Sequence, residues 1–212
     1  MDDLPMRPER LEKIKNLVRK RQLDLTVVLE NVHDAHNIGA VMRSCDAVGI
    51  GELYICYSSD RLNKSDVVLG KRTSAGARKW VDVHYFEDTE SCFEQLKKKY
   101  SQILGTHLTE ESKSLYQLDL TMPTALVFGN EHRGISQEAL RHLTGNFIIP
   151  QFGMVESLNI SVACAVSLFE AARQRNAKHQ YNNSIEMGSE REALLNNYIQ
   201  RHIQKHTGRD PV

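Results

Sequence analysis

The chain has 212 residues, 41% hydrophobic and 25% charged, with a formal net charge of zero. That length suits one sizeable domain with extensions, and the composition is that of a soluble globular protein. No apolar run approaches the ~20 residues of a membrane span, and the opening MDDLPMRPERLEK lacks the apolar core of a signal peptide, so a cytoplasmic protein without a membrane segment is expected.

Cys45, Cys56, Cys92 and Cys164 are widely spaced in apolar segments and read as reduced core residues. No His/Cys/carboxylate cluster has ligand spacing, so no metal is expected. Charge is unevenly distributed. Residues 1–22 hold seven Lys/Arg against four Asp/Glu, residues 171–212 hold the same, and the body between them carries −6. Basic ends on an acidic body fit a polyanionic partner; two solvated helix faces would look the same.

Residues 7–22 predict an amphipathic helix, with Leu11, Ile14, Leu17 and Val18 as its apolar stripe. Arg7, Arg10, Lys13 and Arg19 lie among its charges, and stripe and charges can serve packing and polyanion binding at once. LTVVLE at 25–30 is a strand, a helix runs from about Ile38 to Val48, and ELYICY at 52–57 is the next strand. This β–α–β order implies a parallel sheet. Further strands are expected at 81–86, 102–106, 125–128 and 147–149, and helices at 89–100 and 135–143. The small residues Ser74 to Ala77 predict a close approach of backbones. A buried helix starts at Leu158 and a last one covers 193–204. The domain boundaries expected are a basic N-terminal helix at 1–22, an α/β domain at 23–170 and a basic helical extension at 171–212.

A P-loop is absent, and Gly49-Ile50-Gly51 follows a helix instead of a strand, the reverse of a dinucleotide fingerprint. Open parallel sheets take ligands at the carboxyl ends of their strands. Three polar stretches fall there. NVHDAHNIGAVMR (31–43) contains Asn37, a possible helix cap, and Arg43, a mid-helix arginine among small and apolar neighbours. LVFGNEHRGI (126–135) runs a strand into a glycine loop carrying Glu131. NFIIPQFGMVESLNISVACAVSLF (146–169) passes from strand through a loop with Gly153 to a helix. Ser157 and Asn159 sit at that junction, where Ser157 either caps the helix or faces a ligand.

In this order and spacing, NxGAxxR, FGNEHRG and IPxxGxxESLNxSVAxA resemble the motifs of the SpoU family of RNA ribose 2′-O-methyltransferases, within the SPOUT superfamily. The resemblance covers roughly residues 24–176. It implies a parallel sheet flanked by helices, a deep trefoil knot near the C-terminus and a homodimer with sites at its interface. The basic helices at both ends, with Arg173 and Arg175 just past the third motif, resemble more narrowly the branch that methylates guanosine 18 in the transfer-RNA D-loop.

The resemblance implies S-adenosylmethionine as cofactor, contacted by positions matching Thr106, Gly129, Ile149 and Leu158. Arg43 matches the catalytic arginine, and Asn37, Glu131, Ser157 and Asn159 match the polar residues of the site. Arg173 and Arg175 match RNA-binding arginines, and with Arg7, Arg10, Lys13, Arg19 and Lys178 they form the expected transfer-RNA surface. A ribose 2′-hydroxyl is a poor nucleophile until it loses its proton, whereas a sulfonium methyl is already a strong electrophile. The enzyme must align the two and help remove one proton. Arginine is a poor base, with a free pKa above ~12, so Arg43 either loses its proton in the site or fixes a phosphate that assists; the resemblance favours direct activation. Two other readings are a SpoU enzyme acting on ribosomal RNA or another transfer-RNA position, and an RNA-binding protein of the same fold without methyl transfer.

Overall fold

The strand Leu25–Glu30 (β1) is buried along all six residues, as a strand covered on both faces must be. A computed structural model describes residues 6–57, 76–182 and 186–206 of the chain. Around β1 lie β2 (Glu52–Cys56), β3 (Asp82–Phe86), β4 (Gln102–Thr106), β5 (Lys113–Ser114), β6 (Thr124–Phe128) and β7 (Gly145–Ile148). These seven described strands form one sheet in the order β3-β2-β1-β6-β4-β7-β5, each neighbouring pair parallel. Val27 of β1 stands beside Leu53 on one side and Leu126 on the other.

Alternation along β1 divides the core into two layers. Leu25, Val27 and Leu29 pack with α2 (Ala35–Ala47) and α5 (Ile160–Ala177), through Ile38, Val41 and Met42 of the first and Cys164 and Leu168 of the second. Val28 points the other way, into a layer with Cys92, Phe93 and Leu96 of α3 (Thr89–Lys97) and Ala139 of α4 (Gln137–Leu140). Helices on both faces of a parallel sheet are what the β–α–β pattern required. The four cysteines are buried thiols; a hydrogen bond with Cys56 and burial push the Cys92 thiol up, and burial does the same for Cys164.

Several boundaries differ from the sequence reading. The helix expected from Ile38 begins at Ala35, because Asp34 caps it by accepting from the His36 N–H at 2.8 Å. Asn37, the expected cap, is therefore inside the first turn. The helix expected at 135–143 shrinks to α4, capped by Ser136, whose Oγ accepts from Ala139 N–H at 3.1 Å. The helix expected from Leu158 starts at Ile160, capped by Asn159. Strand β5 is two residues long, too short to leave a pattern. Of the small-residue segment, Ser74 and Ala75 lie outside the described residues, while Gly76 takes φ +88 ahead of a 3-10 turn at Ala77–Lys79. The HTGRDPV tail also lies outside them.

The chain divides into two units, one spanning Gln22–Lys178 and the other built from the segments before and after it. In the second, α1 (Pro8–Lys20) packs on α6 (Ser189–His206). Ile14 and Val18 of the expected stripe are buried. The Arg191 guanidinium donates to the Val18 and Arg21 carbonyls at 2.7 and 2.9 Å, a cation satisfying the acceptors left open at a helix C-terminus. Buried Arg21 donates from Nε to the Tyr198 hydroxyl at 3.1 Å.

In the larger unit the structure corrects the reading of Arg175 as an RNA contact. Its side chain is fully buried. Nε donates to the Leu120 carbonyl at 2.9 Å, Nη1 to Asp24 Oδ1 at 2.5 Å and Gln22 Oε1 at 3.1 Å, and Nη2 to the Met122 carbonyl at 2.8 Å. A fork of fixed donors thus ties the end of α5 to the chain entering β1 and the turn before β6. Removing one partner of a buried pair costs ~3–5 kcal/mol. The Asp24 side chain is 41% exposed and keeps part of its hydration, which puts this case at the low end. Arg175→Met is expected to lower the unfolding free energy by about 3 kcal/mol in denaturant titration, whereas Arg173→Met, on the exposed side of the same helix, leaves the denaturation midpoint near that of the wild type.

Candidate active site

The carboxyl ends of β4, β6 and β7 open into a cleft of about 560 Å³. Thr106 ends β4, Gly129 follows β6, Ile149 follows β7 and Leu158 closes the loop before α5; all four line the cleft, with Glu131 and Ser157. The loop after β6 is tight enough to demand glycine. A Cβ at Gly129 would sit 2.2–2.3 Å from backbone atoms of Gly134 and Ile135, and Gly134 itself takes φ +66. Gly153 is under no such constraint: its φ is outside the left-handed region and a Cβ there would meet nothing within 4 Å.

Side chains from all three polar stretches join at the cleft's edge. Asn159 Oδ1 accepts from Ser161 N–H at 2.9 Å and from its hydroxyl at 2.6 Å, which caps α5. With that oxygen committed, Asn159 donates from Nδ2 to Asn37 Oδ1 at 3.2 Å. Asn37 then donates from Nδ2 to Glu131 Oε1 at 2.7 Å. The direction of each bond follows from the cap, and the series ends on a carboxylate, which only accepts when ionised. Ser157 is exposed and lines the cleft without capping the helix.

Three further residues hold this edge in place, none singled out from the sequence. Glu30, fully buried at the end of β1, accepts from Asn31 Nδ2 at 2.7 Å and from Ser136 N–H at 3.1 Å. Asn31 takes φ 55, and its carbonyl accepts from Asn130 Nδ2 at 2.9 Å. Asn130 Oδ1 accepts from the His132 and Arg133 N–H groups at 2.9 and 3.2 Å. Both ends of the loop carrying Glu131 are therefore hydrogen-bonded to β1 or the residue after it. A glutamate ending an otherwise apolar strand was the available signal for Glu30.

Arg43 lies elsewhere. Six residues beyond Asn37 it has turned through about 240° on α2. It is exposed and lines a second cleft of about 480 Å³ with Asp46, Lys79 and Trp80; the two clefts share no lining residue. Arg173 is exposed and paired with Glu170 through two bonds of 2.8 Å, which hold the Glu170 carboxyl below its usual range. Lys178 is exposed at the end of α5. Arg7, just before α1, and Lys13 on it are exposed, while Arg10 and Arg19 are partly so. Among the described residues no group of three or more His, Cys, Asp or Glu could hold a metal, and no helix is long and apolar enough to cross a membrane.

A helix-flanked parallel sheet with a ligand-sized cleft at its strand ends is the architecture of an α/β protein that binds its ligand at the carboxyl ends of the strands. The model of the SpoU rRNA methylase family matches residues 24–169, and the chain belongs to that family. It is 43% identical over 166 residues to the tRNA (guanosine(18)-2′-O)-methyltransferase of Thermus thermophilus, covering 78% of this chain and 83% of that protein. The crystal structure of the TrmH/SpoU tRNA-modifying enzyme of Aquifex aeolicus superposes with a TM-score of 0.79 at 34% identity, covering 92% of this chain and 97% of that one. The AdoMet-bound rRNA methyltransferase of Sinorhizobium meliloti gives a TM-score of 0.61 at 26% identity, covering 76% and 59%.

The cleft suits that cofactor. Phe128, Phe147, Ile149, Leu158 and Ile160 supply apolar lining for a nucleoside, and the fully charged lining residues, Glu131 and Glu156, are both acidic. A sulfonium ligand is stabilised by such carboxylates. Replacing Glu30 by glutamine turns one acceptor into a donor facing a donor. Glu30→Gln is expected to lower stability by about 1–3 kcal/mol and to speed hydrogen exchange at the amides of residues 132–136, as read by mass spectrometry.

Proposed function

We propose that this chain methylates the 2′-hydroxyl of guanosine 18 in the D-loop of transfer RNA, using S-adenosylmethionine. The single observation that carries the reading is the joining of Asn37, Glu131 and Asn159, one from each polar stretch, at the edge of an acidic, partly apolar strand-end cleft. Likeness over most of both chains to the Thermus enzyme supports the choice of nucleotide. Thr106, Gly129, Ile149 and Leu158 hold the cofactor, and the loops around it form the deep trefoil knot that the family implies. When bound, the cofactor supplies an electrophilic methyl group. Ser157 and the Asn159–Asn37–Glu131 series orient groups at the mouth of the cleft, and Arg43 acts on the 2′-hydroxyl so that its proton can leave. Transfer from a sulfonium needs no Lewis acid, so no metal takes part. The protein works in the cytoplasm, where transfer RNA is its partner.

The active form is a homodimer. Phe152 and Met154 in the loop before α5 are 98% and 99% exposed, and Val155, Val162 and Phe169 are exposed too. Apolar residues gathered on one loop and the helix after it mark a surface that another chain covers. A second copy also answers the separation of Arg43 from the cofactor cleft within one chain. The RNA contacts are Arg7, Arg10, Lys13 and Arg19 on and just before α1, with Arg173 and Lys178 on α5 and its end; buried Arg175 drops out of that set.

Mass spectrometry of unmodified transfer RNA incubated with protein and cofactor should find one added methyl on the ribose of guanosine 18. Arg43→Ala should abolish that product while calorimetry finds cofactor affinity unchanged. Arg43→Lys should fail too, lacking the planar fork of donors. Near-normal turnover by either variant would remove Arg43 from the mechanism. Light scattering at micromolar concentration should give the mass of two chains, and Phe169→Glu should give one chain without activity. A fully active monomer would refute the dimer.

A further inference from the structure

The second cleft has a use of its own. If Arg43 acts at a ribose, the base on that ribose lies close by, since one glycosidic bond joins the two. Asp46 follows Arg43 by three residues, so their side chains are neighbours on one face of α2, with ~5–6 Å between Cβ atoms. Lys79 and Trp80, in and just after the 3-10 turn, line the same cleft. Gly76 also lines it, and a Cβ added there would meet nothing within 4 Å. The volume of about 480 Å³ falls in the ~300–1,000 Å³ range of ligand pockets.

We propose that this cleft is the subsite for the guanine base of the target nucleotide, with Trp80 stacking on its face, Asp46 accepting from N1–H and Lys79 donating to O6. The proposal rests on the reading of the chain as a methyltransferase of transfer-RNA guanosine. Unpaired RNA bases are recognised by an aromatic platform and by hydrogen bonds to their pairing edge. On that edge guanine sets an acceptor, O6, beside a donor, N1–H. Adenine reverses the two, with an amino donor beside the N1 acceptor. A carboxylate and an ammonium lining one cleft match the first pattern and leave the second with donor facing donor and acceptor facing acceptor. The same cleft therefore selects the base and brings its ribose to Arg43.

Trp80 is the chain's single tryptophan, so intrinsic fluorescence reports on this cleft alone. Transfer RNA with guanosine at position 18 is expected to quench it, and the same RNA with adenosine there to quench it less. The near-isosteric Asp46→Asn is expected to cut the guanosine-over-adenosine ratio of kcat/KM by about 10- to 100-fold, with cofactor affinity unchanged by calorimetry. Trp80→Ala should raise KM for transfer RNA about tenfold, and Trp80→Phe should recover most of it. Full wild-type discrimination by Asp46→Asn, or tryptophan emission unmoved at saturating guanosine RNA, would overturn the subsite while leaving the methyltransferase intact. A wild-type chain that methylates no transfer-RNA ribose would overturn both.

Discussion

The carboxylate of Glu30 is the constraint on which the site depends. It is buried at the end of the central strand, where an acidic group must be hydrogen-bonded. Its two oxygens take donors from Asn31 and from the start of the α4 cap, so the chain must bring residue 136 back to β1. Between those points runs the glycine loop, too tight for any Cβ at Gly129. Glu131 is placed by this return of the chain, and Asn37 and Asn159 find it there. A buried acid that orders a loop thus sets the edge of a ligand cleft.

The polar series at that edge has a sense. It begins at a helix cap, where the Asn159 oxygen is occupied, and each amide then has only its N–H₂ to give. Reversal would leave a donor facing the Ser161 N–H. A single capping bond therefore aligns side chains from three separate segments. The lining beside them combines apolar side chains with Glu131 and Glu156, which suits a flat nucleoside carrying positive charge. Arg43 stands apart from this series, in the second cleft.

Arg173 and Arg175 show how far two residues of one type can differ. Two positions apart on a helix, they point about 200° away from each other. One lies against the core and spends its donors on carbonyls, Gln22 and Asp24; the other grips Glu170 at the surface. The first holds α5 to the sheet that carries the site. The second is free to trade its carboxylate partner for a phosphate at small cost, because exposed pairs are worth little.

Much of this protein could be read from its residues. The apolar runs of β1, β2 and β6 and the 3.6-residue stripes of α1 and α2 report burial directly, so the sheet and most helices followed. The three polar stretches carried the family and many of the residues lining the strand-end cleft, because backbone-dictated glycines and capping side chains leave short, ordered patterns. The start of α2 differs by three residues from the sequence reading because two capping residues, Asp34 and Asn37, stand close together. Which one caps depends on what else each can bond, and Asn37 is claimed by Glu131 94 residues away. Only the tertiary structure separated buried Arg175 from exposed Arg173, gave Glu30 its partners and set Arg43 in a cleft apart from the one at the strand ends. Those outcomes rest on contacts between segments distant in the chain, and no local periodicity records which side chains such segments bring face to face.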